Sequence, residues 1–305
     1  MKHTYLRTAA PIAGMISATA LWGLSFVSTK VLLGSLTPVQ IAFLRHLLAS
    51  AATWIAVGIS RQPLAVARCD LPRMAAAAMI GIPVYFYFEN TGLLYLSASA
   101  ASMITASTPA MTAVMESVVD RKRLPGLRWL GIAISAAGVA LVARSGASHA
   151  ASLGASATAF AKGVGMILTS SFAWSLYTIV NKPLAHSYGV LTTNAYQISA
   201  ATAVLGIAAF RGGIPWRAIA SDANTLLNLT YLGVLCSALA YGLYLYGVRA
   251  LGPTTASVFI NLVPVFGVMG SAWVLGESTS PVQLVGGIVV ILGILLVEKP
   301  RGGHQ

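Results

Sequence analysis

Four side chains capable of acid–base chemistry or hydrogen bonding interrupt two long apolar stretches of the sequence. Arg45 and His46 lie about two turns into one stretch, and Glu89 and Asn90 lie in the aromatic run YFYFEN of the next. Ionisable groups in such surroundings are costly, which favours binding or proton transfer. Two alternatives remain: Arg45 could extend to a nearby surface, and Glu89 could be a solvated carboxylate in an interfacial aromatic belt. His46 fits a hydrogen-bonded helix contact better than a proton carrier.

Aromatic side chains accompany these polar groups. Tyr85 precedes Glu89 by one helical turn, so both lie on the same helix face, which could receive an ammonium group or a proton. Rings in other stretches could line an amphipathic cavity suited to aromatic ligands, although mid-helix aromatics more often serve packing: Trp22, Trp174, Tyr177 and Tyr244.

The composition indicates that these residues lie in a membrane-embedded part of the chain. The 305-residue chain is 57% hydrophobic and 9% charged, with a mean hydropathy of +0.79. Soluble domains carry roughly 25% charged residues, so this is an integral membrane protein. The net charge of +12 does not indicate nucleic acid as a partner, because the basic residues lie in short connectors between apolar runs. Cys69 and Cys236 indicate no disulfide framework.

Ten apolar runs have the roughly 20 residues that a transmembrane helix needs. The first follows Lys2 and Arg7, but it is too long for the apolar region of a signal peptide and is followed by more spans, so we expect it to be retained. The predicted spans are 12–33, 38–59, 73–95, 98–117, 126–144, 163–183, 189–210, 225–249, 254–275 and 281–298.

The basic residues predict the orientation. With the N-terminus in the cytoplasm, thirteen Lys and Arg residues of the connectors and chain ends fall on the cytoplasmic side and four on the opposite side. Cytoplasmic loops are enriched in Lys and Arg. We therefore expect both termini in the cytoplasm.

A duplication organises the chain. The segment LSASAASMITASTP (96–109) recurs as LGPTTASVFINLVP (251–264), and the first spans of the halves, LWGLSFVSTK (21–30) and AWSLYTIVNK (173–182), correspond at an offset of 152. The offset of 155 between the first two segments also relates three glycine pairs: Gly92/Gly247, Gly131/Gly286 and Gly138/Gly293. Such self-similarity at a fixed register indicates an internal repeat.

Each half contains five spans, and an odd number requires the second half to enter the membrane upside down. The predicted fold is therefore all-α, with ten transmembrane helices in two inverted five-helix repeats. The first repeat would be residues 1–147, the linker 148–161 and the second repeat 162–305. Inverted repeats are typical of secondary transporters, whose substrate sites lie near the midplane between the repeats.

Two prolines at equivalent positions, Pro109 and Pro264, predict bent helices that could act as hinges. Interrupted helices at matching positions of two repeats point to a transport site. Thr105 and Asn261 lie nearby and could bind a substrate. Contacts between helices are the alternative role for both side chains.

These features resemble a known family. Trp22 near the middle of the first helix, Lys30 eight residues later, a proline-centred fourth helix and an ending from Pro264 to the LGE of Glu277 are similar to the drug/metabolite transporter superfamily, EamA type. The first half departs, since Lys122 stands at the position equivalent to that glutamate. The resemblance implies a bacterial cytoplasmic (inner) membrane protein that exports small organic solutes, similar to aromatic amino-acid exporters.

The expected function is export of aromatic or bulky apolar amino acids by rocking of the two repeats. A broader drug or metabolite exporter and an intramembrane enzyme are the alternatives, and the enzyme would need paired aspartates or a Ser/His dyad, neither of which the sequence offers. The sequence contains no P-loop and no His-Glu-x-x-His motif, so we expect neither cofactor nor metal. Glu89 could couple protons, or transport could be facilitated.

The expected partners are a small-molecule substrate and the lipid bilayer. The glycines that recur every seven residues in the fifth and tenth spans favour close helix packing, within the chain or in a dimer. We expect a monomer or a homodimer.

Overall fold

The computed structural model describes residues 2–60, 63–121, 123–152, 156–251 and 259–298, and every regular element in these ranges is helical. The α-helices are α1 (Lys2–Leu32), α2 (Pro38–Ser60), α3 (Leu71–Met79), α4 (Tyr85–Tyr95), α5 (Ala98–Thr105), α6 (Thr108–Val119), α7 (Gly126–Ser152), α8 (Ala157–Ser187), α9 (Val190–Arg211), α10 (Trp216–Ser221), α11 (Ala223–Thr230), α12 (Ala240–Leu251), α13 (Val263–Leu275) and α14 (Pro281–Glu298). A 3₁₀ turn (Arg68–Asp70) precedes α3, and π-helical segments (Ile80–Val84 and Tyr231–Leu239) join α3 to α4 and α11 to α12.

Within the described ranges, six helical segments are long and apolar enough to cross a bilayer: Ala10–Leu32, Pro38–Ser60, Arg68–Tyr95, Gly126–Ser145, Ala157–Asn181 and Ala223–Tyr244. Helix α9 has 22 residues but buries polar side chains, among them Thr193, Asn194 and Gln197. Two apolar helices near the C-terminus, Val263–Leu275 and Pro281–Val297, are shorter. The residues of the predicted linker 148–161 are helical up to Ser152 and again from Ala157.

The predicted fourth span, 98–117, is not one continuous helix. Helix α5 ends at Thr105 and α6 begins at Thr108, with Pro109 in its first turn. Pro264 likewise lies in the first turn of α13, after a turn at 261–262. Both prolines thus start a new helix instead of bending a continuous one, because a missing N–H costs nothing in a first turn. The interruptions, 106–107 and 261–262, are 155 residues apart.

The first π-helical segment lies directly before Tyr85, and the second lies directly before the helix that carries Tyr241 and Tyr244. The first contains Pro83, whose missing N–H and bulky ring disturb regular α-helical bonding. The second overlaps the equivalent positions, 235–239, in the other half. π-Helical turns inside α-helices occur frequently at functional sites.

Two large apolar clusters and a small one at Met74, Ala77 and Leu184 form the core of the described ranges. One gathers around α5, α7 and α14 and includes Ile104 and Ile294, both fully buried. The other gathers around α2, α9 and the second π-helical segment and includes Ile41 and Leu232, also fully buried. Trp22 on α1 packs against both clusters, which places its indole at the boundary between them.

Helices α7 and α14 pack against each other through glycines. A Cβ atom added at Gly131 would lie 2.5 Å from the carbonyl oxygen of Gly293, and one at Gly138 would lie 2.8 Å from that of Gly286. Such distances leave no room for a side chain, so only glycine allows the two backbones to approach this closely. These glycines therefore form the contact between α7 and α14 and are not available for a dimer contact.

A polar network joins the end of α4 to the start of α5. Lys30 Nζ donates to the carbonyl oxygens of Leu93 and Leu96, at 2.5 and 2.7 Å. The Glu277 carboxylate accepts from the first two backbone N–H groups of α5, at 3.0 and 3.2 Å, and from the Ser99 hydroxyl at 3.0 Å. The two charges thus satisfy helix-terminal groups that would otherwise lack partners. We call these contacts the Lys30–Glu277 network.

Candidate functional site

Two tryptophans from the two halves of the chain meet at the centre of the bundle. The Trp22 and Trp174 ring centroids lie 6.4 Å apart with an interplanar angle of 74°. Tyr241 packs edge to face against both, at 5.5 Å from Trp22 and 5.7 Å from Trp174. These separations and angles are typical of favourable aromatic contacts.

Three further tyrosines complete the group. Tyr244 lies 5.3 Å from Trp22, while Tyr85 and Tyr177 lie 5.1 and 5.2 Å from Trp174. All six rings remain partly exposed although their helices surround them. They therefore keep some accessible surface while packing beside the core clusters, and we call this set the aromatic chamber.

The π-helical segment Tyr231–Leu239 fixes the orientation of Trp22. The indole Nε1 donates to the carbonyl oxygen of Cys236 at 3.0 Å. In the reverse direction, the Tyr231 hydroxyl donates to the carbonyl oxygen of Leu21 at 2.8 Å. Two hydrogen bonds between α1 and the π-helical segment thus hold the indole in place.

Arg45 on α2 points into the protein. It is 3% exposed, its Nε donates to Ser237 Oγ at 3.1 Å, and its Cζ lies 4.3 Å from the centre of the Phe86 ring. The guanidinium therefore does not extend to the surface, which was the alternative interpretation. Its terminal nitrogens are the donors that a carboxylate engages side-on.

Glu89 on α4 is buried close to this arginine. It is 6% exposed, and its Oε1 accepts a hydrogen bond from the Tyr85 hydroxyl at 3.1 Å. Arg45 and Glu89 are close enough to interact electrostatically. Glu89 is therefore not a solvated belt carboxylate, and the site combines both signs of charge with a tyrosine shared with the chamber.

His46 and Asn90 make contacts that tie helices together. His46 Nδ1 lies 2.7 Å from the Ala42 carbonyl oxygen, and its ring packs 4.7 Å from Phe86. Asn90 Nδ2 donates to the carbonyl oxygen of Pro38 at 3.0 Å, which joins α4 to the start of α2. Both side chains thus support the elements that carry Arg45 and Glu89.

Thr105 and Asn261 lie at the two helix interruptions. Among the described residues, Thr105 Oγ1 and both amide atoms of Asn261 are buried without a hydrogen-bond partner. An unsatisfied buried polar group costs about 1–3 kcal/mol, which favours a water or ligand partner. Pro109 and Pro264 mark the start of the following helices, and the part of the repeated stretch at 252–258 lies outside the described residues.

A second polar group lies next to Trp174, and two of its members, Gln197 and Asn181, were missed in the sequence. The Tyr177 hydroxyl donates to Gln197 Oε1 at 3.2 Å, and Gln197 Nε2 donates to Asn181 Oδ1 at 2.8 Å. Gln197 is 1% exposed. It follows Arg45 by 152 residues, the offset of the first spans, so the repeat register could have identified it.

Tyr241 of the chamber was also missed. It follows Phe86 by 155 residues, so the same register relates it to the ring over which the Arg45 guanidinium lies. The signal was weak because the two rings differ in type.

Apolar helices of spanning length around partly exposed aromatic rings and buried charges are typical of a membrane transport protein. The chain belongs to the EamA-like transporter family, whose model matches residues 10–144 and 161–298. The resemblance drawn from the sequence is confirmed.

Relatives cover nearly the whole chain. An uncharacterized transporter of Archaeoglobus fulgidus is 28% identical over 285 residues, covering 93% of this chain and 95% of the relative. A probable terminal-alkyne amino-acid exporter of Streptantibioticus cattleyicolor is 26% identical over 306 residues, covering 98% and 97%. A solved crystal structure aligns with a TM-score of 0.67 at 16% identity, covering 95% of this chain and 96% of that one, which supports the fold alone.

Proposed function

We propose that this protein is a secondary transporter that exports small organic solutes by alternating access. Its preferred substrates are amino acids with aromatic or bulky apolar side chains. The observation that carries this proposal is the aromatic chamber around Trp22 and Trp174, with Arg45 and Glu89 buried beside it. The relative from Streptantibioticus cattleyicolor, named a probable terminal-alkyne amino-acid exporter, supports amino acids as the general substrate class.

The three parts of such a substrate match three parts of the site. The apolar side chain packs against the rings of the chamber, where each aromatic pair contributes about 0.5–1.5 kcal/mol beyond area burial. The α-carboxylate binds the terminal nitrogens of Arg45. The ammonium group binds Glu89 and the Tyr85 hydroxyl, which already form a hydrogen bond. Thr105 and Asn261 supply further hydrogen bonds from the interrupted helices.

The proposed architecture is ten transmembrane helices in two inverted five-helix repeats. Reciprocal contacts support it: Gly131 faces Gly293 and Gly138 faces Gly286. Gly131 and Gly286 are repeat equivalents, as are Gly138 and Gly293, so each contact is the other with the halves exchanged. Contacts of this kind arise when a two-fold axis relates two units.

A second pair of contacts supports the same axis. A Cβ atom on Gly92 would lie 2.8 Å from Ile167, and one on Gly247 would collide with Met15. Gly247 is the equivalent of Gly92 at offset 155, and Ile167 is the equivalent of Met15 at offset 152. The contact between α4 and α8 thus recurs between α12 and α1.

In this arrangement the axis passes between Trp22 and Trp174, which are equivalent at offset 152 and touch each other. The family match in two segments, 10–144 and 161–298, supports a first repeat at 1–147, a linker at 148–161 and a second repeat at 162–305. Alternating access then follows from rocking of one repeat against the other. The hinges are the helix interruptions that precede Pro109 and Pro264.

We propose a bacterial cytoplasmic membrane location with both termini inside, on the distribution of Lys and Arg. Substituted-cysteine labelling tests this topology. The loop at Arg121 and Arg123 should label from the cytoplasmic face and the loop at Glu277 from the opposite face. Labelling of both from one face would overturn the inverted architecture.

Transport in proteoliposomes tests the function. Labelled phenylalanine, labelled threonine and a cationic dye are loaded in turn, with protein-free vesicles as the control. We expect saturable phenylalanine flux that tryptophan and tyrosine inhibit. Saturable dye flux without amino-acid flux would favour the broader drug exporter, which Glu89 beside aromatic rings could also serve. No saturable flux of any of the three would overturn the proposal.

A further inference from the structure

A surface depression lies where α6 ends and α7 begins, and none of its lining residues belongs to the aromatic chamber. Its volume is about 370 Å³. The lining residues are Ser117, Val118, Arg121, Arg123, Leu124 and Trp129. The lining therefore combines two guanidinium groups with a hydroxyl, an indole and apolar side chains.

The nearby carboxylates line a different depression. A second one, of about 230 Å³, contains Glu116 and Asp120 together with Arg123 and Arg128. Arg123 and the adjoining Ser117 and Leu124 are common to both. The charged residues that line the larger depression are thus both arginines, while Glu116 and Asp120 of the smaller depression adjoin Arg123.

The surroundings of the larger depression are apolar and exposed. Val118 is 71% exposed, Val119 61%, Trp129 54% and Leu130 53%. In a membrane protein such side chains face lipid, and tryptophan is enriched where acyl chains meet headgroups. The depression therefore has cationic groups at headgroup level and an apolar surface beside them.

We propose that this depression binds the headgroup of an anionic phospholipid. Arg121 and Arg123 bind the phosphate oxygens, since guanidinium groups match a phosphate with paired hydrogen bonds. The Trp129 indole lies at the level of the glycerol backbone, and the acyl chains run along Val118, Val119 and Leu130. Basic recesses at the cytoplasmic face of membrane proteins can recognise anionic headgroups in this way.

Lipid titration of the purified full-length protein, followed by native mass spectrometry, tests the site. The probes are phosphatidylglycerol and phosphatidylcholine with the same acyl chains. We expect phosphatidylglycerol to bind roughly 30-fold more tightly, the fold-change that two arginines near an anionic headgroup predict. The double variant Arg121→Gln/Arg123→Gln should lose this preference.

The matched control is Arg211→Gln/Arg217→Gln, which removes two exposed arginines elsewhere, one of them beside the exposed Trp216. This control should keep the preference for phosphatidylglycerol. Equal loss in both double variants would reduce the effect to net charge and overturn the proposal. Inorganic phosphate is the third probe: if it occupies the site as well as phosphatidylglycerol does, the ligand is a free anion and the lipid assignment is wrong. Circular dichroism checks that each variant is folded.

Discussion

Trp22 and Trp174 touch edge to face with ring centroids 6.4 Å apart, although they belong to the first helices of the two halves of the chain. Tyr241 packs against both. The rings that a substrate would contact are thus supplied jointly by both halves, and a substitution in either half should affect binding.

Replacing Trp174 with alanine should raise the KM for phenylalanine about tenfold, because the substrate ring loses an aromatic contact and the area that it buries. Trp174→Phe should recover most of the affinity. Counterflow in proteoliposomes measures the effect, with the exposed Trp273→Ala as the control. A KM unchanged in Trp174→Ala would place the substrate outside the aromatic chamber.

Replacing Arg45 with glutamine should lower kcat/KM for phenylalanine about 10- to 100-fold, the range expected when a hydrogen-bonded charge is removed from a carboxylate ligand. Flux of phenethylamine, which lacks the carboxylate, should change little. Arg211→Gln, at an exposed position, is the control. If both substrates lose transport to the same extent, Arg45 supports the fold and does not bind the carboxylate.

Gly131→Ala should destabilise the protein by about 1–3 kcal/mol, the usual cost of overpacking. The added methyl group would lie 2.5 Å from the Gly293 carbonyl oxygen. Gly165→Ala on α8 is a matched control, because no atom beyond its own stretch of helix lies within 4 Å of the position of its Cβ. Thermal unfolding in detergent should separate the two variants by several degrees. Equal midpoints would mean that the backbones separate freely.

Glu277→Ala should loosen the Lys30–Glu277 network, since the start of α5 loses three hydrogen bonds. A cysteine at Thr105 should then react several times faster with an impermeant thiol reagent added from the side of Glu277. The background should lack Cys69, which is exposed. Asp222→Ala is the control, because it removes a carboxylate that caps a different helix. An unchanged rate would show that this network does not limit access to the helix interruption at Thr105.

The sequence predicted most of the aromatic and charged residues of the candidate site but missed Gln197 and Tyr241. The repeat register and the mid-span positions identified Trp22, Trp174, Tyr177 and Tyr244, all of which meet in the structure. Gln197 was missed because α9 is less apolar than its neighbours and its polar residues resemble ordinary helix contacts. The hydrogen bond between Gln197 and Tyr177 depends on how α8 and α9 pack, which no local pattern encodes.

The helix interruptions were predicted at the right places but with the wrong geometry. Pro109 and Pro264 indicated a bend, yet the chain breaks two to three residues earlier and each proline begins a new helix. The Ser107 hydroxyl donates back to the carbonyl oxygen of Ile104, a local bond that competes with regular helix formation. This competition depends on backbone detail that the proline alone does not reveal.

The glycine contact between α7 and α14 limits how this transporter can move. Where two backbones are in contact without side chains between them, the interface is rigid and does not slide or compress. These helices come from opposite halves of the chain, so we expect them to stay together while the other helices move relative to them. Spin labels on the two helices beside Gly131 and Gly293 should keep one separation throughout the cycle, while labels on α5 and α13 should report two.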